Sequence, residues 1–455
     1  MGVLSRTCVV AACGAALLAV MPAAASADPF FPHAGNDGYN VVDYNLQLQY
    51  DPATGELGGT ATIAANATKR LAKFDLDLRG LTVTRVKVGG AAATFTRKGQ
   101  ELIITPRTPA ASGGAFTAVV SYHGVPGPVT DPDGSPDGWI PTDDGAFVAG
   151  EPQGAPTWFP ANDTPADKAT YTISMTVPKK LSAVGNGKLV SATTAGGQRT
   201  FVWRENLPMA SYLATITLGK FDITKESGIV PIYLAVDPRE AAAAAPALAK
   251  LPKILAFEQK LIGPYPFENA GAIVDHNAGA GYALETQTKP VFDGAPDAET
   301  LAHEIAHQWF GDSVTPSTWP DIWLNEGFAT YVQWLWTDHS GGQSVDDRFH
   351  DAFSIPATSR FWCTGPAALP GPAEMFSSPV YLRGAMTLYA LRAEIGDPLF
   401  LKVLHKWAAA NRHGNVSTAD FEALAEHVTG YDLSATFTSW LVTPRKPGSS
   451  VDPCA

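Results

Sequence analysis

His303 and His307 stand four residues apart in the run His303-Glu304-Ile305-Ala306-His307. On an α-helix, residues four apart share one face, so the two imidazoles can meet one metal ion. Glu304 then lies beside the metal's open side, where its carboxylate can reach a water. A third protein ligand is needed, and Glu326 offers a carboxylate nineteen residues after His307, in Trp323-Leu324-Asn325-Glu326-Gly327-Phe328-Ala329. Two His, one carboxylate and one open position are the donor set of a catalytic zinc, here one ion. A structural zinc would draw on Cys, which is nearly absent from the chain. The chemistry of such a centre is hydrolysis, because zinc brings the pKa of bound water toward about 7. The competing reading of the same residues is a buried, hydrogen-bonded His pair with no metal.

These side chains need helices packed side by side, and the second half of the chain offers them. Segments 299–310, 325–337, 380–395, 398–411 and 418–428 carry helical periodicity, with Ser417 or Thr418 as an N-cap for the last and Gly430 near its end. Pro238 to Ile262 is rich in Ala, Leu and Lys and reads as one further helix, ended by Gly263-Pro264-Tyr265-Pro266. Residues 28–225 have a different period. Val42 to Tyr50 alternates apolar and polar, as does Phe74 to Leu78, and 101–104 and 118–122 are further short runs between Gly, Pro and Asn/Asp turns. Many short strands in that pattern argue an antiparallel β domain. The expected architecture is therefore multidomain α and β, with a β domain over 28–225 and a mainly helical domain over 226–455. Between the strands, Asp131-Pro132-Asp133-Gly134-Ser135-Pro136-Asp137 reads as a loop of solvated turn chemistry. Its carboxylates could also hold calcium, but they lack the regular spacing of a calcium loop.

Composition sets outer limits. The 455 residues are 45% hydrophobic and 17% charged, enough to fill sizeable cores and too apolar for a disordered chain. Lys and Arg number 32 against 44 Asp and Glu, a net charge of −12, which argues against nucleic acid as a partner. Arg6 is the one charged side chain of residues 1–27; an apolar run from Val9 to Val20 follows, then Ala25-Ser26-Ala27. That order reads as a secretory signal, with cleavage after Ala27 and Asp28 as the mature start. The run is short for a membrane span, and no later stretch is long and apolar enough for one. Val10-Ala11-Ala12-Cys13 resembles a lipoprotein box, but the apolar run continues past Cys13. With Cys8 and Cys13 lost in the signal, Cys363 and Cys454 remain, either as a disulfide or as two thiols.

The segment His303 to Gly311, followed by Trp323 to Ala329, resembles the zinc aminopeptidases related to aminopeptidase N and leukotriene hydrolase, the gluzincins. Phe159 to Tyr171, Pro208 to Leu213 and Tyr381-Leu382-Arg383-Gly384-Ala385 are similar to further segments of that family, so the likeness runs from about residue 40 to about 445. It implies a saddle-like β domain on a thermolysin-like catalytic domain, in a short form without the C-terminal helical domain of larger members. It makes His303, His307 and Glu326 the zinc ligands, Glu304 the general base and Tyr381 the donor to the developing oxyanion. The family's Gly-x-Met-Glu-Asn stretch, which lines the substrate site and grips a free amine through its Glu, is met here by Tyr282-Ala283-Leu284-Glu285-Thr286. Glu285 matches the amine-binding Glu, Tyr282 replaces the Gly, Ala283 stands at the variable position and Thr286 replaces the Asn. Counting back from Phe159-Pro160, Glu151 falls where a second amine anchor is expected, with Gln153 in reserve; as a residue alone, Glu151 reads equally as an exposed loop carboxylate.

Two acids on one ammonium would fix the first peptide bond at the metal, and peptides without a free amine would leave both acids unpaired. The resulting expectation is an exported zinc aminopeptidase acting on peptides with a free N-terminus. The alternatives are a thermolysin-like endopeptidase, a non-peptide hydrolase on the same scaffold, or a peptide-binding protein whose zinc is structural. The oligomeric state is not readable from the sequence.

Overall fold

The computed structural model describes residues 28–454, so the leader expected over 1–27 lies outside it. The N-terminal half is built on an eight-stranded sheet. In spatial order its strands are Lys188–Ala195, Gln198–Ala210, Lys168–Pro178, Tyr39–Asp51, Glu56–Ala67, Ala115–Gly124, Thr82–Val88 and Ala91–Ala92. Tyr44, Leu46, Leu48 and Tyr50 are buried while Gln47 and Gln49 are exposed, so the period-two pattern fixes which face meets the core. One pairing departs from the antiparallel expectation: Tyr39–Asp51 runs parallel to Lys168–Pro178, with Tyr44 opposite Tyr171. Parallel neighbours need a long crossover. Here the intervening chain contributes a three-stranded sheet, Phe74–Asp77, Glu101–Thr105 and Thr94–Lys98, and three of five strands in another sheet.

That five-stranded sheet points toward the site. Its strand Ala146–Ala149 is buried at every position and runs directly into Gly150-Glu151. The segment after it is pinned by aromatic packing, with the Tyr44 and Tyr171 rings stacked at 4.9 Å and Phe159 edge-on to Tyr44 at 5.5 Å.

The second half is less purely helical than its periodicity implies. A mixed sheet of Asp222–Ser227, Pro231–Val236, Ala270–Asp275, Val291–Asp293 and Ala283–Leu284 opens it. The strand Ala270–Asp275 is buried throughout and pairs in parallel on both sides, so it shows no alternation to betray it. The division expected at 225/226 falls inside the strand Asp222–Ser227, which pairs with this sheet. The single helix expected over 238–262 is two, Ala241–Leu248 and Leu251–Ile262. Pro252, with no N–H to give Leu248, sits in the first turn of the second helix, where that donor is not required.

Three helical segments carry His303, Glu304, Glu326 and Tyr381. Ala298–Ala306 starts at Asp297, whose side chain accepts from the Thr300 N–H at 2.7 Å. It ends at Ala306, before the expected 310, and the chain turns at Gly311, where φ is 129°. Trp323–His339 packs beside it. The third, expected over 380–395, is a wide π-type turn at Pro379–Arg383 followed by the α-helix Gly384–Ile395. The expected helices over 398–411 and 418–428 are Asp397–Ala410 and Thr418–Thr429. The latter is capped by a reciprocal Ser417–Asp420 box and closed by Gly430 in the left-handed region. A helix at Val345–Phe353 was not foreseen.

Two glycines decide how close these helices come. A Cβ on Gly384 would lie 2.8 Å from the Gly327 Cα, and one on Gly327 would lie equally close to the Gly384 Cα. Backbone therefore meets backbone at a crossing one residue after Glu326 and three after Tyr381. Arg383, fully buried, locks the wide turn by donating to the carbonyls of Trp362, Thr364, Ser439 and Thr443 at 2.6–3.1 Å. The halves are tied by Lys168, whose Nζ donates to the carbonyls of Asp312 at 2.9 Å and Ser313 at 3.1 Å. Cys363 and Cys454 are joined as a disulfide with their Cα atoms 5.6 Å apart.

A Gly384→Ala substitution has no flexible side chain to displace at the crossing. It is expected to cost about 1–3 kcal/mol in urea unfolding; a variant as stable as the parent would show that the two helices can separate freely.

Candidate active site

The three expected ligands converge. His303 Nε2 lies 3.1 Å from Glu326 Oε2 and 3.1 Å from His307 Nε2, and His307 Nε2 lies 3.4 Å from Glu326 Oε2. A tetrahedral zinc with bonds of about 2.0 Å has ligand-to-ligand edges of about 3.3 Å, so these donors already describe one face of that tetrahedron. The early end of the helix contributes here. It brings the Phe310 carbonyl round to accept from His307 Nδ1 at 3.0 Å, which leaves Nε2 with a free lone pair for a metal. Two imidazole nitrogens facing each other at 3.1 Å with a carboxylate beside them form a donor set suited to a cation.

The surrounding charge is one-sided. Burial pushes the Glu304 carboxyl well above its ordinary range, and Glu285 and Glu326 push it further against the pull of His307. Burial opposes a charged His307, yet Glu285, Glu326 and Glu304 raise it well above an ordinary histidine. Burial would also raise Glu326, but His307 and the bonds from both imidazoles bring it to about 2. Glu326 is thus the acid most firmly held as a carboxylate.

Glu151 and Glu285 also meet. Ligand oxygens of Glu151, Glu285 and Glu326 lie within 4.8 Å of one another, as do those of Glu285 and Glu304 with His307. Both Glu151 and Glu285 are buried, and Oε1 of each has no hydrogen-bond partner. Burial raises both carboxyls, and Glu285 is the first neighbour to raise Glu151 further. Glu285 Oε1 lies 3.8 Å from His307 Nδ1 without a hydrogen bond, so two neighbouring buried acids each keep an acceptor that a cation with several N–H donors could use. Glu151 is therefore no exposed loop carboxylate. Gln153, the reserve, is turned away: its side chain bonds Arg79 and Asp131, at 2.5 and 2.9 Å.

A cavity of about 420 Å³ joins these groups, and Tyr282, Ala283, Phe376 and Tyr381 line it with them. The Tyr381 ring lies 6.1 Å from that of His303, nearly parallel to it. Tyr282, in the place of the family's Gly, donates its hydroxyl to the Pro136 carbonyl of the β domain at 2.7 Å. The loop 131–137 departs from its reading as a solvated turn. Asp131 and Asp137 are buried at its two ends, because the Gln153 side chain and backbone N–H bond them there.

Sequence reasoning missed Gln308 and Phe376. Gln308 Nε2 donates to the Glu285 carbonyl at 3.0 Å and its Oε1 accepts from the Thr288 N–H at 2.7 Å, which ties the segment 285–288 to the turn that follows the helix Ala298–Ala306. Its place directly after His307 was the available signal. Phe376 sits in irregular chain with no pattern around it.

The peptidase M1 N-terminal domain model matches residues 40–213, and the peptidase family M1 domain model matches 253–440. The chain belongs to peptidase family M1. Among relatives of this M1 chain, the leucyl aminopeptidase of Saccharolobus solfataricus is 24% identical over 90% of the chain and 54% of its own length. Aminopeptidase M1-C of Oryza sativa is 30% identical over 64% of the chain and 36% of its own length. The M1 chain thus spans about a third to a half of the curated relatives it matches. The M1 zinc metallopeptidase of Deinococcus radiodurans, solved as a point mutant, superposes with a TM-score of 0.84 at 27% identity, over 93% of this chain and 99% of that one. The same protein has been solved with a Tyr-Ser-Ala substrate, with a TM-score of 0.85 at 26% identity over 94% and 98% of the two chains.

The purified M1 chain is expected to carry one zinc ion by elemental analysis. Glu326→Gln is expected to weaken zinc binding roughly a hundredfold or more; a variant that kept the parent's affinity would show that Glu326 is not a ligand.

Proposed function

We propose that this chain is an exported zinc aminopeptidase that removes the N-terminal residue of peptides. The observation that carries the reading is the pair of buried, half-unpartnered carboxylates, Glu151 and Glu285, beside the donor set His303, His307 and Glu326. An endopeptidase has no use for two such acids at the end of its cleft, whereas an α-ammonium group satisfies both. The Tyr-Ser-Ala bound by the Deinococcus relative supports a peptide as the substrate. The leader-like residues 1–27 and the Cys363–Cys454 bridge support export.

The chain's own residues divide the work. Glu151 and Glu285 hold the α-amine and so place the first peptide bond over the three ligands. Zinc, when bound, supplies a Lewis acid for the carbonyl and a water of lowered pKa. Glu304 would take a proton from the attacking water as general base and return it to the departing amine. Tyr381 donates its hydroxyl to the oxygen on which charge develops; burial first, and then Glu326 and Glu151, raise its pKa and keep it a donor.

The test uses protein collected from culture medium, with its N-terminus sequenced and expected at Asp28. A panel of aminoacyl chromogenic amides, free and N-acetylated, is hydrolysed before chelation, after chelation and after zinc is restored. Cleavage of free amides alone, lost on chelation and regained with zinc, is the expected result. Equal cleavage of acetylated amides would overturn the amine clamp and leave an endopeptidase or a broader hydrolase.

A further inference from the structure

One acid in the cleft has no part in this chemistry. Asp133, in the β-domain loop 131–137, lines the same cavity as Glu151 and Glu285 and is exposed within it. The loop that carries it is held from three directions. Asp131 and Asp137 are buried at its base and bonded to Gln153. The Pro136 carbonyl accepts from the Tyr282 hydroxyl at 2.7 Å, which ties the loop to the segment leading into Glu285. At the tip, Asp133 Oδ1 accepts from the Ser135 N–H at 2.9 Å and from its hydroxyl at 2.6 Å. The side chain is thereby fixed, while Oδ2 has no partner among the described residues.

The charge around it needs completing. The cavity is lined by Asp133, Glu151, Glu285, Glu304 and Glu326, and by no Lys or Arg. On the proposed function, zinc takes Glu326, the α-ammonium takes Glu151 and Glu285, and Glu304 serves as the base. Asp133 lines the cavity together with Ser135 of its own loop and Tyr282, to which that loop is bonded through Pro136. The carbon that carries the clamped amine also carries the first side chain, which therefore enters the cavity that Asp133 lines.

We propose that Asp133 is the specificity-determining residue of the first side-chain pocket and selects peptides that begin with Arg or Lys. The inference rests on the aminopeptidase reading and narrows it to a substrate class. Arg is favoured over Lys, because a guanidinium can give one N–H to Oδ2 while keeping others solvated at the open edge of the cleft. A neutral first residue offers Oδ2 nothing, and an acidic one meets a field of a single sign.

The experiment compares kcat/KM on Arg, Lys and Met amides for the parent, Asp133→Asn and Asp133→Lys. Asn keeps an oxygen for Ser135 to bond, so the loop is preserved and only the charge is lost. The parent is expected to prefer Arg over Met by about fivefold or more, and the preference is expected to fall about five- to tenfold in Asp133→Asn. Asp133→Lys is expected to invert it. An unchanged Arg-to-Met ratio in Asp133→Asn, or a parent that prefers Met, overturns the proposal and leaves the aminopeptidase reading intact. Failure of the zinc-loaded parent to cleave any free amide would instead overturn that reading, and this proposal with it.

Discussion

Four buried carboxylates, Glu151, Glu285, Glu304 and Glu326, share one small space that no Lys or Arg lines. Like charges in a poorly solvated site repel strongly, and each acid pays a desolvation penalty for its place there. Burial, and then that repulsion, raise the carboxyls of Glu151, Glu285 and Glu304, and cations placed among them would relieve the repulsion. Two groups stand out: His303, His307 and Glu326, and the neighbouring acids Glu151 and Glu285, each with one oxygen free of hydrogen bonds. The first fits a metal and, on the function proposed here, the second fits an ammonium group, and the rest of the fold holds the acids in these places.

Each acid arrives on a separate element, so the repulsion is borne by the scaffold. Glu151 follows a fully buried strand of the β domain, and Glu285 follows the strand Ala283–Leu284, pinned by Gln308. Glu304 and Glu326 ride adjacent helices. The contact of Gly327 with Gly384 brings the turn carrying Tyr381 against the Glu326 helix, and buried Arg383 holds that turn through four carbonyls. Lys168 reaches out of the β domain into the turn after His307, so the halves that supply Glu151 and Glu285 stay in register.

Much of this was legible in the chain. The four-residue spacing of His303 and His307 gave the metal, because helical geometry turns spacing into proximity. Period-two alternation gave the strands of the first half for the same reason. What spacing could not show was Glu151, since the chain reaches it through a buried strand far from the helices in sequence. Likeness to a family pointed at it, and the structure buries it close to Glu285 and Glu326. The mixed sheet behind the zinc helix was hidden because strands buried on both faces do not alternate. The loop 131–137 was read as solvated from its composition, although only the residues at its tip are.

The central claim is that the cleft holds two cations at two specified seats. The direct measurement is a crystal structure of the zinc-loaded protein with a free amino acid bound. It should show one zinc on His303, His307 and Glu326, with the α-amine within hydrogen-bond distance of both Glu151 and Glu285. Zinc held instead by Glu285, Glu304 and His307, or an amine that ignores Glu151, would contradict the account.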